Sequence, residues 1–187
     1  GYPGSHIAAS YLINTFRSFG LSVVTQNFTL TAPVDEGSSI TIEQQGRNTS
    51  SFIAYSLWPN GIQTCATPPS GLTGKLIYVG EGYLEDFDGK VISGAIVLFD
   101  FNSGNNWLNA LDLGAKAAIF IEPEETTNYE VLSKTLPVPI AFTRLYVTRE
   151  VGRQLIQLAK SGASATVHAK MHWRQVQATN IIAIMEG

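Results

Sequence analysis

The chain has 187 residues, 44% of them hydrophobic and 14% charged, with a net charge of −3; ordinary soluble domains carry about 25% charged residues. That length and apolar content suffice for one substantial core, or for one domain and part of another. The small negative charge, with no basic cluster, excludes nucleic acid and an anionic membrane as partners, and no apolar run approaches the ~20 residues that cross a bilayer.

Residues 4–20 place Ile7, Tyr11, Leu12, Phe16 and Phe19 on one face of a helix, with Ser5 as N-cap and Gly20 just past the end. Residues 21–30, with Val23, Val24, Phe28 and the branched Thr25 and Thr29, read as a strand, and a turn at 37–39 precedes a second strand at 40–44. A turn at 48–51 leads to a third, 52–58, closed by Pro59-Asn60-Gly61. Residues 63–74 lack periodicity and read as a surface loop, 75–79 as a strand, and 81–90 as an acidic loop.

Residues 89–123 form the centre of the pattern. AIVLF (95–99) and AAIFI (117–121) are unbroken apolar runs of strand length, as expected of strands buried on both faces. Between them Trp107, Leu108, Leu111 and Leu113 fall at helical spacing behind the polar turn 102–106, and Gly114 stops the helix. A helix inside the connection predicts parallel strands and a right-handed crossover. Residues 122–134 then read as a solvated acidic loop, 137–142 as a short strand that its prolines confine to an edge or a strand start, and 148–162 as a helix capped by Thr148 with Val151, Leu155, Leu158 and Ala159 on one face. Residues 163–173 alternate as a strand, and 179–187 form an apolar strand that runs to the end of the chain. The chain begins at Gly1 with no initiator Met or signal peptide, as a mature product or an excised fragment does.

Chemistry-bearing residues are sparse. Of the three histidines, His6 opens the first helix, and His168 and His172 lie four apart in a stretch that reads as strand, so no metal set is expected. There is no Gly-x-Ser-x-Gly elbow, no dinucleotide fingerprint and no phosphate loop. Asp86 with Asp88, and Glu122 with Glu124 and Glu125, read as solvated loops because neither set completes a ligand pattern. Cys65, the single cysteine, is a small packed residue or the partner of a cysteine outside this segment. Asn27 and Asn48 head N-glycosylation tripeptides. The one candidate contact surface is the turn before the central helix: Asn102, Asn105 and Asn106 offer amides and Trp107 an aromatic face. A plainer role for the same residues is an Asn capping the helix and Trp107 packed in the core.

Over residues 71–162 the order KLIYVGEGYLEDFDGK, GAIVLFD, LDLGAKAAIF, VPI and a closing helix resembles a protease-associated domain. Residues 4–30 (GSHIAASYLINTFRSFGLSVVTQNFTL) and 178–187 (ATNIIAIMEG) are similar to the opening helix and strand, and to the first catalytic-domain strand, of the secreted di-zinc aminopeptidases, the family that includes glutamate carboxypeptidase and the transferrin receptor. One departure is the absence of the cysteine and basic residue that many protease-associated domains carry soon after the central strand.

The resemblance implies a fold and a division of the chain. The fold is α+β and β-rich, a curved sheet or open barrel flanked by helices with one parallel β-α-β crossover. Residues 1–30 would pack on a catalytic domain, 31–175 (core 71–162) form the protease-associated domain, and 176–187 lead into the peptidase. It further implies a secreted or lumenal, non-catalytic region that covers the active-site cleft. Its partners would be its own catalytic domain and a peptide substrate or protein, and the two zinc ions would belong to the peptidase domain, with no cofactor here. The alternative within the resemblance is a binding module of a sorting receptor or of a subtilisin-like protease.

Overall fold

The computed structural model describes residues 3–43 and 49–185. Its elements run α1 (Pro3–Ser18), β1 (Ser22–Asp35), β2 (Ser38–Glu43), β3 (Ser50–Ser56), β4 (Leu72–Tyr78), β5 (Ile96–Asp100), α2 (Trp107–Asp112), β6 (Ala117–Ile121), α3 (Asn128–Leu132), β7 (Thr143–Val147), α4 (Arg149–Lys160), β8 (Ser164–His168) and β9 (Met171–Ile184). A 3-10 turn, Leu84–Phe87, lies between β4 and β5. The chain divides into two compact units, one of Gly1–Val34 with Trp173–Gly187 and one of Asp35–His172.

In the second unit seven strands close into a barrel in the order β2-β3-β7-β6-β5-β4-β8. The β-rich α+β class expected from sequence is what forms, and the sheet closes completely, which removes exposed strand edges. The crossover through α2 makes β5 and β6 parallel, with Leu98 opposite Ile119. The parallel arrangement extends on both sides, to β4 beside β5 and β7 beside β6. β2, β3 and β8 complete the barrel through antiparallel pairings.

The two apolar runs are continuous because both of their faces are covered. Successive side chains point to opposite faces, so Ile96 and Leu98 join one buried cluster while Val97 and Phe99 join the other. In β6, Ile119 belongs to the first cluster and Phe120 to the second in the same way. Leu155 of α4 packs into the first cluster, and Trp107 and Ala110 of α2 into the second. Thr148 caps α4 as expected, its hydroxyl accepting from the Val151 N–H at 3.5 Å. At Gly152 a Cβ would stand 2.3 Å from Ile121 Cγ2, so this helix reaches β6 by presenting bare backbone.

Five local expectations change. Ser5 lies inside α1, which begins at Pro3, a position proline tolerates because its missing N–H has no helical partner. Residues 137–142 form no strand; the two prolines withhold ladder donors, and the pairing starts at Thr143 as β7, between β3 and β6. Residues 122–134 are not wholly a solvated loop: Thr127 caps α3 and the segment ends on buried Ser133 and Lys134. The 63–74 loop holds fully buried Cys65 and gives its last residues to β4. Residues 163–173 break into β8 and the start of β9, whose long run takes in residues 179–184.

The first unit consists of α1 and the outer parts of β1 and β9, which pair as a two-stranded sheet. Gln177 Nε2 donates to Thr29 Oγ1 at 2.7 Å and Thr179 Oγ1 to Asn27 Oδ1 at 2.8 Å. Among the described residues of α1 and of 173–185, none is buried.

Candidate functional site

The turn between β5 and α2 is held by a buried charged staple. Phe101 ends the apolar run from β5 in the second cluster, and Gly104 takes a positive φ of 50°, which glycine adopts without penalty. The Gly104 N–H donates to Glu130 Oε2 at 2.8 Å, and the Gly104 carbonyl accepts from Lys134 Nζ at 2.9 Å. Lys134 Nζ also meets Glu130 Oε2 at 3.1 Å and Ser133 Oγ at 3.0 Å. An ammonium has three donors, so this one is fully committed. Its ammonium further lies 5.1 Å from the Phe101 ring centroid and 5.6 Å from that of Phe120, within cation–π range.

Burial shifts both charges. It pushes Lys134 below the ordinary lysine value, with the Glu130 carboxylate opposing. On Glu130 burial acts upward, but the Gly104 N–H and the Lys134 ammonium outweigh it and hold the carboxyl below its usual value.

Beneath the staple lies Arg144 of β7, also wholly buried. Its Nη1 donates to the Lys134 carbonyl, its Nη2 donates to the Trp58 carbonyl at 2.8 Å, and Nη2 lies 3.8 Å from Cys65 Sγ. Its Nε finds no partner, and burial pushes the guanidinium down, Cys65 opposing. The guanidinium carbon is 5.3 Å from the Trp107 ring, which is stacked on Phe142 at 6.0 Å and 9°. Asn60 joins the same loops, donating to the Ile140 carbonyl and accepting from the Leu136 N–H. Residues 58–65, 101–107 and 133–144 are therefore cross-linked by polar groups buried among aromatic rings.

The sequence-proposed contact residues divide within this frame. Trp107 is 0% exposed and donates Nε1–H to the Ser133 carbonyl at 2.9 Å, so its ring lies in the core. Asn102 donates to the Glu125 carbonyl and accepts from Thr126 Oγ1, both at 2.9 Å. Asn106 stands at the N-cap of α2 with helical backbone and no capping bond, and spends its amide on the Glu81 carbonyl at 3.0 Å. Asn105 is exposed. The chemistry available here is that of a rigid turn presenting one amide, with Asn102 at its rim.

Lys134, Arg144 and Glu130 escaped sequence reasoning because each is a lone charge with no motif around it, and no local spacing marks a lysine that will fold beneath a neighbouring turn. Of the glycosylation candidates, Asn27 is exposed on β1 and Asn48 lies outside the described residues. Among the described residues no three of His, Cys, Asp and Glu come together to hold a metal, so the described residues do not fit a two-zinc centre. His6 is on α1, His168 on β8 and His172 on β9.

No family model and no curated protein matches the chain. Solved structures do. A peptidase M28 precursor from Shewanella amazonensis SB2B superposes with a TM-score of 0.61 at 14% identity, over 98% of this chain and 46% of that one. An aminopeptidase from Aneurinibacillus sp. strain AM-1 gives a TM-score of 0.49 at 22% identity over 98% of this chain and 43% of that one. A subtilisin-like protease, Apa1 from Pseudoalteromonas sp. AS-11, gives 0.38 at 16% identity, over 72% of this chain and 33% of that one. The first establishes a shared fold, and the chain spans less than half the length of each of these proteins.

Proposed function

We propose that this chain is the non-catalytic, protease-associated region of a zinc exopeptidase, in which the barrel stands over the active-site cleft and shapes which substrates enter. The observation that carries this reading is the contrast between the two units. Both buried apolar clusters belong to Asp35–His172, whereas α1 exposes Ile7 at 72% and Tyr11 at 68%, and Phe19 just beyond it is 71% exposed. A two-stranded ribbon with a helix none of whose described residues is fully buried is marginal in water, and an exposed apolar set of this kind marks a docking surface. A hollow of about 480 Å³ lined by Phe19, Gly20, Leu21, Ser22, Ile184 and Met185 in the same unit offers a further recess to a partner. The catalytic domain is the partner this reading assigns to α1 and the ribbon, and the shared fold with a peptidase M28 precursor supports it. On this reading the two zinc ions belong to that domain, which supplies the histidines and carboxylates that the described residues here do not gather.

On the same reading the protein works outside the cell or in a secretory compartment, with Asn27 and Asn48 as glycan acceptors. No helix among the described residues is long and apolar enough to cross a membrane. The test is hydrolysis of aminoacyl and peptide substrates by the purified chain with added zinc. No zinc-dependent turnover is expected. Turnover that a chelator abolishes would place the catalytic groups in this chain and overturn the proposal.

A further inference from the structure

Half of the chain's six lysines line a single groove. Lys75 of β4, Lys90 of the loop before β5 and Lys160 at the end of α4 surround a volume of about 400 Å³ whose apolar lining includes Ile77 and the exposed Val91. A space of that size is about one Debye length across at physiological salt, about 8 Å, so the three charges act together on whatever occupies it. All three are exposed, and among the described residues no carboxylate pairs with any of them. Lys90 donates to the Asp86 backbone carbonyl and makes no ion pair among the described residues. In a chain with net charge −3, three cations with no ion-pair partner among the described residues stand around one apolar hollow; Asp86 and Asp100 act on Tyr78 in its lining but pair with none of the lysines, so an anionic occupant gains their attraction.

From this arrangement we infer that the groove is a docking site for an acidic peptide segment in which carboxylates alternate with apolar side chains. This goes beyond the proposed function and does not rest on it. Both edges of β4 are already paired, to β5 and to β8, so recognition by main-chain strand addition is closed and side chains must carry it. Three cations spread around the groove call for more than one anionic group, and the apolar lining calls for hydrophobic side chains between them. Tyr78, the remaining polar side chain of the lining, donates its hydroxyl to both oxygens of Asp100 at 2.9 Å. Burial and Asp100 push it up to about 12, so it stays neutral and adds no competing charge.

The test is fluorescence anisotropy with the intact protein and a labelled octapeptide alternating Glu and Leu, against an isosteric peptide alternating Gln and Leu. The Glu peptide is expected to bind about tenfold more tightly, and to lose that advantage at high salt. Lys75→Gln/Lys90→Gln/Lys160→Gln is expected to weaken it about tenfold with an unchanged melting temperature, and the matching arginine variant to keep it. Val91→Asp, a single exposed change that leaves the lysines in place, is expected to weaken it too. Equal binding of the two peptides, or wild-type affinity in the glutamine variant and in Val91→Asp, overturns the inference. Displacement of the peptide by decanoate at lower concentrations than by unlabelled peptide overturns it as well, since the ligand would then be a fatty acid.

Discussion

The ammonium of Lys134 and the carboxylate of Glu130 meet at 3.1 Å, one helical turn apart, and between them they grip the backbone of Gly104 on both its N–H and its carbonyl. The Lys134 side chain is 2% exposed and that of Glu130 18%, so the pair is sheltered from solvent. Removing one partner of a sheltered pair strands the other charge, at a cost of about 3–5 kcal/mol where burial is complete. Glu130→Leu should therefore destabilise the barrel strongly, and Lys134→Met/Glu130→Leu should cost less than the sum of the two single changes. Chemical denaturation of the three variants gives the coupling; simple additivity would mean the staple is not acting as a unit.

The same pair predicts a pH dependence. Because Glu130 is held below its ordinary value in the fold, its contribution is complete above the unfolded carboxyl value and is lost as pH falls through the lowered folded one. Lys134 is also lowered, so between its folded value and the ordinary lysine value the unfolded chain binds more protons, and stability rises with pH in that window. Melting temperature followed against pH should show the acid limb flatten in Glu130→Gln, and the alkaline rise vanish in Lys134→Met. Limbs identical to wild type would locate those titrations elsewhere.

Trp107 and Asn105 should separate stability from recognition. Trp107→Ala removes a buried indole, its bond to Ser133 and its contact with Arg144, and should cost about 3–5 kcal/mol. Asn105→Ala, at an exposed position, should leave stability within about 0.5 kcal/mol. If this turn, the contact surface its amides suggest, faces substrate or a partner peptide, Asn105→Ala in the intact protein should change the ratio of kcat/KM for long and short peptides. An unchanged ratio would remove the turn from substrate selection.

Gly152→Ala tests the close approach of α4 to β6. Alanine favours a helix over glycine by about 0.8–1.0 kcal/mol, yet its Cβ would meet the branched Ile121 side chain at 2.3 Å. Overpacking of this kind costs about 1–3 kcal/mol, so a net loss of stability is expected. A stabilised variant would show that the helix can shift outward freely.

Much of the barrel was legible because its central strands report their surroundings directly. Residues 95–99 and 117–121 have no polar face, and strands covered on both sides require none, so their burial followed from the runs themselves and their parallel pairing from the helix between them. Thr148 and the spacing of Val151, Leu155 and Leu158 defined α4 by the same local logic. The site was harder to read because its chemistry is non-local. Arg144 sits in a strand that the preceding prolines led sequence reasoning to place several residues early, and Lys134 ends what reads as a solvated loop. Their burial depends on Gly104, Trp58 and Cys65, which lie far from them along the chain. Trp107 was open to two readings from sequence, an aromatic face beside a polar turn or a ring packed in the core, and the structure gives the second, with the ring buried and stacked on Phe142.

The central claim is that the barrel guards a cleft formed elsewhere and performs no chemistry itself. The most direct measurement replaces residues 35–172 of the intact protein by a short flexible linker joining the paired strands β1 and β9, and compares kcat/KM for a small chromogenic aminoacyl substrate with that for longer peptides. The account predicts that zinc-dependent hydrolysis of the small substrate persists while the preference between short and long peptides changes. Complete loss of hydrolysis in a protein that still folds and binds zinc would contradict it, and so would an unaltered preference.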